Sequence, residues 1–273
     1  MACLTTGLLS LNPLVAARAQ STLSRDEQNL VNFGFATQLG SGVYTFSGRT
    51  LQIYRIPFSY TLRSVDTSKF GVELTLPLTV GFYDFKLKDV AEAQLPDHID
   101  AVSFVPGVTL VFAPQPDWLL EPFIEGGIAR LQDTLGNTRV YAGGLRSLYT
   151  FQGRGFDWLL RNELLYAGLD FSGTTPSDHF VRLQTTLTAR RRFTRDSTFD
   201  YLLYAMNEIY FDQPGAPVNG SVNNGSPVQY EIGITIGTAE THKIWGIPLP
   251  RLGIGYRFGD HLSVWRIVLD TPY

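Results

Sequence analysis

Long stretches of the chain alternate strictly between apolar and polar or small residues. Tyr54, Ile56, Phe58, Tyr60 and Leu62 interleave with Arg55, Pro57, Ser59, Thr61 and Arg63. Phe70, Val72, Leu74, Leu76, Leu78, Val80 and Phe82 interleave with Lys69, Gly71, Glu73, Thr75, Pro77, Thr79 and Gly81. The same rhythm runs through 181–190, 230–236 and 251–258. Successive side chains of a strand point to opposite faces, so each stretch has one apolar face and one polar face. At helical spacing the same apolar positions would scatter around the whole cylinder.

The pattern predicts strands at 33–46, 50–63, 69–84, 98–113, 118–129, 138–151, 156–169, 179–192, 199–211, 227–238, 244–258 and 262–272. These segments are long. A soluble strand averages roughly 5–6 residues, whereas a tilted strand crossing a bilayer needs about 9–11. Short connections (64–68, 113–117, 152–155, 193–198, 239–243) alternate with longer ones (85–97, 132–137, 170–178, 212–226). Such asymmetry belongs to outer-membrane barrels, with the short turns on the periplasmic side. The first and last connections, 47–49 and 259–261, look tight where longer loops are expected. The predicted fold is all-β: one transmembrane antiparallel up-and-down β-barrel of about 12 strands. Ser24 and Glu27 have capping-box spacing, so a short helix over 24–32 is the companion expectation.

The ends of the chain sharpen this picture. Residues 4–17 are apolar or small, and Ala17-Arg18-Ala19 has the form of an export cleavage site. The expected organisation is a signal peptide over 1–19, a leader or lumen segment over 20–32, and the barrel over 33–273. Cleavage would remove Cys3, the one cysteine. No later run reaches the roughly 18 apolar residues of a membrane helix. At the other end, Trp265, Ile267, Leu269 and Tyr273 fall in a two-residue rhythm completed by Thr271. That row resembles the terminal signal of outer-membrane proteins, which implies barrel-assembly machinery and periplasmic chaperones as partners during biogenesis.

Composition excludes other classes. Charged residues are 17% of the chain and the net charge is −3, which leaves no basic excess for a nucleic-acid partner. Closing the sheet would satisfy its backbone in lipid, turning apolar stripes to the acyl chains and polar stripes to the lumen. The lumen-facing charges then include Arg55, Arg63, Glu73, Glu163, Arg182, Arg190, Glu231 and Arg257. Aromatics recur near strand ends, as interfacial girdles require. No catalytic motif with a mechanism is present, no spacing suggests a metal, and no cofactor is implied. His261-Leu262-Ser263 has the spacing that, on a strand, would place both side chains on one face, as a base and nucleophile require. The alternative is therefore a barrel hydrolase, similar to a lipid A deacylase or a protease, and a soluble periplasmic β-protein is the third reading.

Ile56-Pro57-Phe58-Ser59-Tyr60, the strand Leu74 to Phe85 ending in Tyr83-Asp84-Phe85, Val105-Pro106-Gly107, and Trp118-Leu119-Leu120-Glu121-Pro122-Phe123 carry a family likeness. On these stretches the chain resembles the solitary autotransporter-like β-barrel proteins of the Gram-negative outer membrane. The resemblance implies a roughly twelve-stranded barrel in contact with outer-membrane lipid. Residues 20–32 are too short for a secreted passenger, so the expected role is structural or pore-like transport, with 24–32 as a lumen plug.

Overall fold

The computed structural model describes residues 42–46, 49–56, 58–65, 70–83, 99–131, 137–171, 178–194, 196–212, 227–238, 243–244, 247–248, 251–259 and 262–269. The expectations that fall on 1–19, 20–32, 33–41 and on Tyr273 lie outside them, as do His261 and the long connections. The described residues form strands and turns, with no α-helix among them.

Seventeen strands are present among the described residues: β1 (Gly42–Phe46), β2 (Arg49–Ile56), β3 (Ser59–Arg63), β4 (Gly71–Thr75), β5 (Leu78–Tyr83), β6 (Ala101–Phe104), β7 (Gly107–Gln115), β8 (Trp118–Leu131), β9 (Asn137–Gly153), β10 (Phe156–Phe171), β11 (Asp178–Arg192), β12 (Phe199–Asp212), β13 (Val228–Thr238), β14 (Lys243–Ile244), β15 (Ile247–Pro248), β16 (Leu252–Gly259) and β17 (Leu262–Leu269). Fifteen join in one sheet, and β14 pairs with β15 alone. Every pairing is antiparallel, so the all-β antiparallel expectation holds.

Three expected strands are each split in two. The breaks fall between Ile56 and Ser59, at Leu76-Pro77 and at Val105-Pro106. Proline has no N–H to give the ladder, so Pro77 and Pro106 interrupt pairing at their own positions. The breaks lie on neighbouring strands, because β2–β3, β4–β5 and β6–β7 pair side by side. Together they form a crease across the sheet, spanned by bonds such as Leu76 N–H to the Phe58 carbonyl at 2.7 Å. Side-chain parity survives it, since Val105 and Gly107 are both buried. A further correction concerns 244–258. Ile244 and Ile247 belong to the small β14–β15 ladder, and the long strand starts only at Leu252.

From β8 to β13 each strand pairs with the next in sequence, and the ladders are long, sixteen register pairs between β9 and β10. The β9–β10 turn places Arg154 at φ 53° and Gly155 at φ 77°. Two left-handed residues make the hairpin turn whose twist matches the flanking strands, and glycine takes that conformation without a Cβ penalty. β1 and β17 stand at the two ends of the sheet path. Pairs of their Cα atoms lie within 8 Å, while no hydrogen-bonded ladder joins them among the described residues.

The faces of the sheet differ sharply. On one face lie exposed apolar side chains from almost every long strand: Tyr60 at 65% exposure, Ile124 at 70% and Trp265 at 69%, with Phe104, Leu145, Leu164, Ile232 and Ile254. The other face is buried and holds Ile53, Glu125, Glu163, Arg182, Glu208 and Arg257. Gln52 departs from this division, being buried beside Tyr54 on the first face.

Candidate functional site: a charged belt on the buried face

Arginines and glutamates on the buried face form one continuous chain of ion pairs. Arg55 on β2 lies 3.9 Å from Glu125 on β8, which lies 3.8 Å from Arg146 on β9. Arg146 Nε donates to Glu163 on β10 at 3.0 Å, and Arg161 donates to the same carboxylate at 3.0 Å. Arg182 on β11 bridges Glu163 at 2.8 Å and Glu208 on β12 at 3.3 Å. Arg257 on β16 joins Glu208 at 3.0 Å to Glu231 on β13 at 2.7 Å. Arg266 on β17 closes the series on Glu231 at 2.5 Å.

Several of these links skip strands. Adjacent strands are about 4.8 Å apart, so β2 and β8, three steps apart in the sheet order, would stand about 14 Å apart in a flat sheet. The Arg55–Glu125 contact therefore favours a concave face, whereas the links from β12 to β16 and from β13 to β17 cross two spacings, about 10 Å, within reach of an arginine and a glutamate.

Two tyrosines complete the belt. Tyr204 donates its phenol O–H to Glu231 at 2.8 Å, and Tyr210 donates to Glu208 at 3.2 Å. The phenol end of Tyr204 lies against Gly233 and Gly255, where an added Cβ would meet its Cζ or hydroxyl oxygen. Arg146 stacks 3.8 Å from the centroid of the Phe123 ring, a cation–π contact. Gly144 leaves the room that Phe123 occupies.

The belt separates two different neighbourhoods. Toward the long-connection end the buried face is apolar, with Ile53, Val140, Leu165, Leu169 and Phe180. Toward the short-turn end Asp200 binds Arg190 and Arg251, the latter at 2.5 Å. Charges removed from water are tolerated only when paired and hydrogen-bonded. Each belt carboxylate meets at least two arginines.

The eight charges expected on the inner face divide clearly. Glu163, Arg182, Glu231 and Arg257 are belt members, and Arg55 begins the series. Arg190 belongs to the Asp200 cluster. Arg63 lies 4.4 Å over the Phe70 ring, and Glu73 sits on β4 outside the belt. The sequence reading missed Glu125, Arg146, Arg161, Asp200, Glu208, Arg251 and Arg266. Strand parity marks Arg161, Glu208 and Arg266, each of which shares a face with the buried positions of its strand; Glu125 needs the register as well, and Arg251 lies just before β16.

Of the terminal row, Trp265 is exposed on the apolar face, and Ile267 and Leu269 occupy β17. Ser263 lies on the same strand. Among the described residues no group of three His, Cys, Asp or Glu side chains is arranged to hold a metal. No protein-family model matches the chain, and none of the curated proteins compared with it matches.

Proposed function

We propose that the sheet closes into a transmembrane β-barrel of a bacterial outer membrane, with a structural or narrow-pore role and the charged belt inside. The carrying observation is the exposed apolar face, whose large side chains would otherwise stand in water from nearly every long strand. A soluble sheet covers such a face with a second layer. Here 15 strands share one sheet.

Aromatic placement supports the reading. On the apolar face, Tyr149, Phe151, Trp158, Phe156, Tyr201 and Phe193 make consecutive ring contacts across β9 to β12 at the short-turn end. Tyr141, Tyr166 and His179 form a second row at the other end. From Trp158 to Tyr166 is about 27 Å along β10, at about 3.4 Å per residue. A tilt of about 40° makes that about 21 Å of height, close to the roughly 25 Å apolar band of outer-membrane barrels. Tyr141 also lies over Gly168 of the next strand, the aromatic cover that stabilises glycine in curved sheets.

Closure between β1 and β17 is part of the proposal, supported by their proximity and by a belt that runs from β2 to β17. The interior suits a barrel of the autotransporter-translocator kind without a passenger. Its belt side chains narrow the lumen at mid-height, so conductance is small. The test is gel migration with and without boiling, on the chain from Gln20 folded into detergent micelles and in plain buffer. Faster migration of the unboiled, micelle-folded protein is expected. A monomer folded in buffer without detergent would overturn the proposal in favour of a soluble periplasmic protein.

A further inference from the structure

The middle of the apolar face, from β9 to β12, is interrupted. Ser147, Asn162, Thr185 and Asn207 are directly paired neighbours on β9, β10, β11 and β12, and they form a polar row on the side that otherwise exposes leucine, isoleucine and aromatic rings. Asn162 stands midway between the two aromatic rows, four residues from Trp158 and four from Tyr166 on the same strand. If the barrel reading holds, that is the bilayer midplane, where an unsatisfied amide is costly.

The row satisfies itself only in part. Thr185 donates its hydroxyl to Asn162 Oδ1 at 2.8 Å. Trp118 Nε1 donates to Ser147 Oγ at 2.9 Å, and Asn207 Nδ2 reaches the Gln229 carbonyl at 3.4 Å. The Nδ2 hydrogens of Asn162 and the Oδ1 of Asn207 have no partner among the described residues. The amide of Asn162 is therefore a donor with a spare acceptor lone pair, held at mid-depth in a field of Leu160, Leu164, Leu183 and Leu187.

We propose that two copies of this chain associate side by side in the membrane through the outer face of β9 to β12, with Asn162 at the two-fold axis. This rests on the barrel reading. A primary amide is self-complementary: each Asn162 Nδ2–H donates to Oδ1 of its counterpart, and both amides are satisfied by the same contact. Two-fold interfaces bring a patch against itself, which suits such a group. Hydrogen bonds of this kind drive association between membrane segments, where apolar contact with lipid and with protein are nearly equivalent. The flanking leucines then seal the pair from lipid.

The test uses the chain from Gln20, which has no cysteine of its own, folded in vesicles. Leu164→Cys, beside the axis, should form an oxidised dimer on a gel, and Ile234→Cys, on the distant β13, should not. Asn162→Leu should weaken dimerisation roughly five- to tenfold, measured by sedimentation in density-matched detergent, the loss expected for two modest hydrogen bonds. Folded, monomeric wild-type protein in both vesicles and detergent would overturn this inference and leave the barrel standing. Equal cross-linking at 164 and 234, or an unchanged constant in Asn162→Leu, would overturn it as well. Folding without detergent would instead remove the barrel on which it rests.

Discussion

Glu231 is wholly buried and answers three groups at once: Arg257, Arg266 and the Tyr204 hydroxyl. Glu231→Gln keeps the shape and removes the charge, leaving two buried guanidinium groups short of a counter-ion. Breaking a buried pair from one side costs about 3–5 kcal/mol. Urea unfolding in vesicles, followed by tryptophan fluorescence, should show a loss of that order. Arg55→Met should cost less than Glu231→Gln by the same assay, because Arg55 is partly exposed and its contact with Glu125 is 3.9 Å long. Gly233→Ala should also destabilise, by roughly 1–3 kcal/mol, since its methyl group enters the space of the Tyr204 ring. The belt was half legible in the sequence for a local reason. Where apolar and charged residues alternate cleanly, as around Arg182 and Glu231, parity marks the buried face. In Trp118-Leu119-Leu120-Glu121-Pro122-Phe123 both faces carry apolar residues, so Glu125 stands out only once the register is known.

At the scale of the strand, position along the apolar face should decide the cost of a charge. Leu164 is half exposed and near mid-height on β10, and His179 lies in the aromatic row at the end of β11. Arginine at a bilayer midplane costs about 2–4 kcal/mol, falling to about 0–1 near the interface. Leu164→Arg should therefore lower the unfolding free energy in vesicles by about 2–4 kcal/mol, and His179→Arg by less than about 1. Equal small effects would mean that water covers this face. Strand existence was readable throughout, and length from β8 to β13, where period two persists for a dozen residues at a time. The proline breaks were visible as residues and not as interruptions, because parity is preserved across Val105-Pro106-Gly107. The pairing of β14 with β15 was unreadable, being only two residues long on each side.

For the whole molecule, charge balance inside the belt gives a directional expectation. Among the described residues, Arg55, Arg146, Arg161, Arg182, Arg257 and Arg266 face Glu125, Glu163, Glu208 and Glu231, and Glu121 stands opposite Arg146 on the same face, six cations against five anions. Rings of arginine favour anions in a pore. Single channels in a KCl gradient should give a reversal potential of anion-selective sign, and Arg257→Gln should move it toward zero. A cation-selective reversal potential would contradict a path through the belt.

The belt has a consequence for assembly. Each of its members is drawn from a different strand or a different rung, and all must meet at one level. Shifting any strand by a single residue exchanges its two faces, which would turn Arg182 or Glu208 to the apolar face and bring leucine among the remaining ions. The penalty falls on the mispaired state, not on the correct one. The belt thus checks the register of each strand against its neighbours.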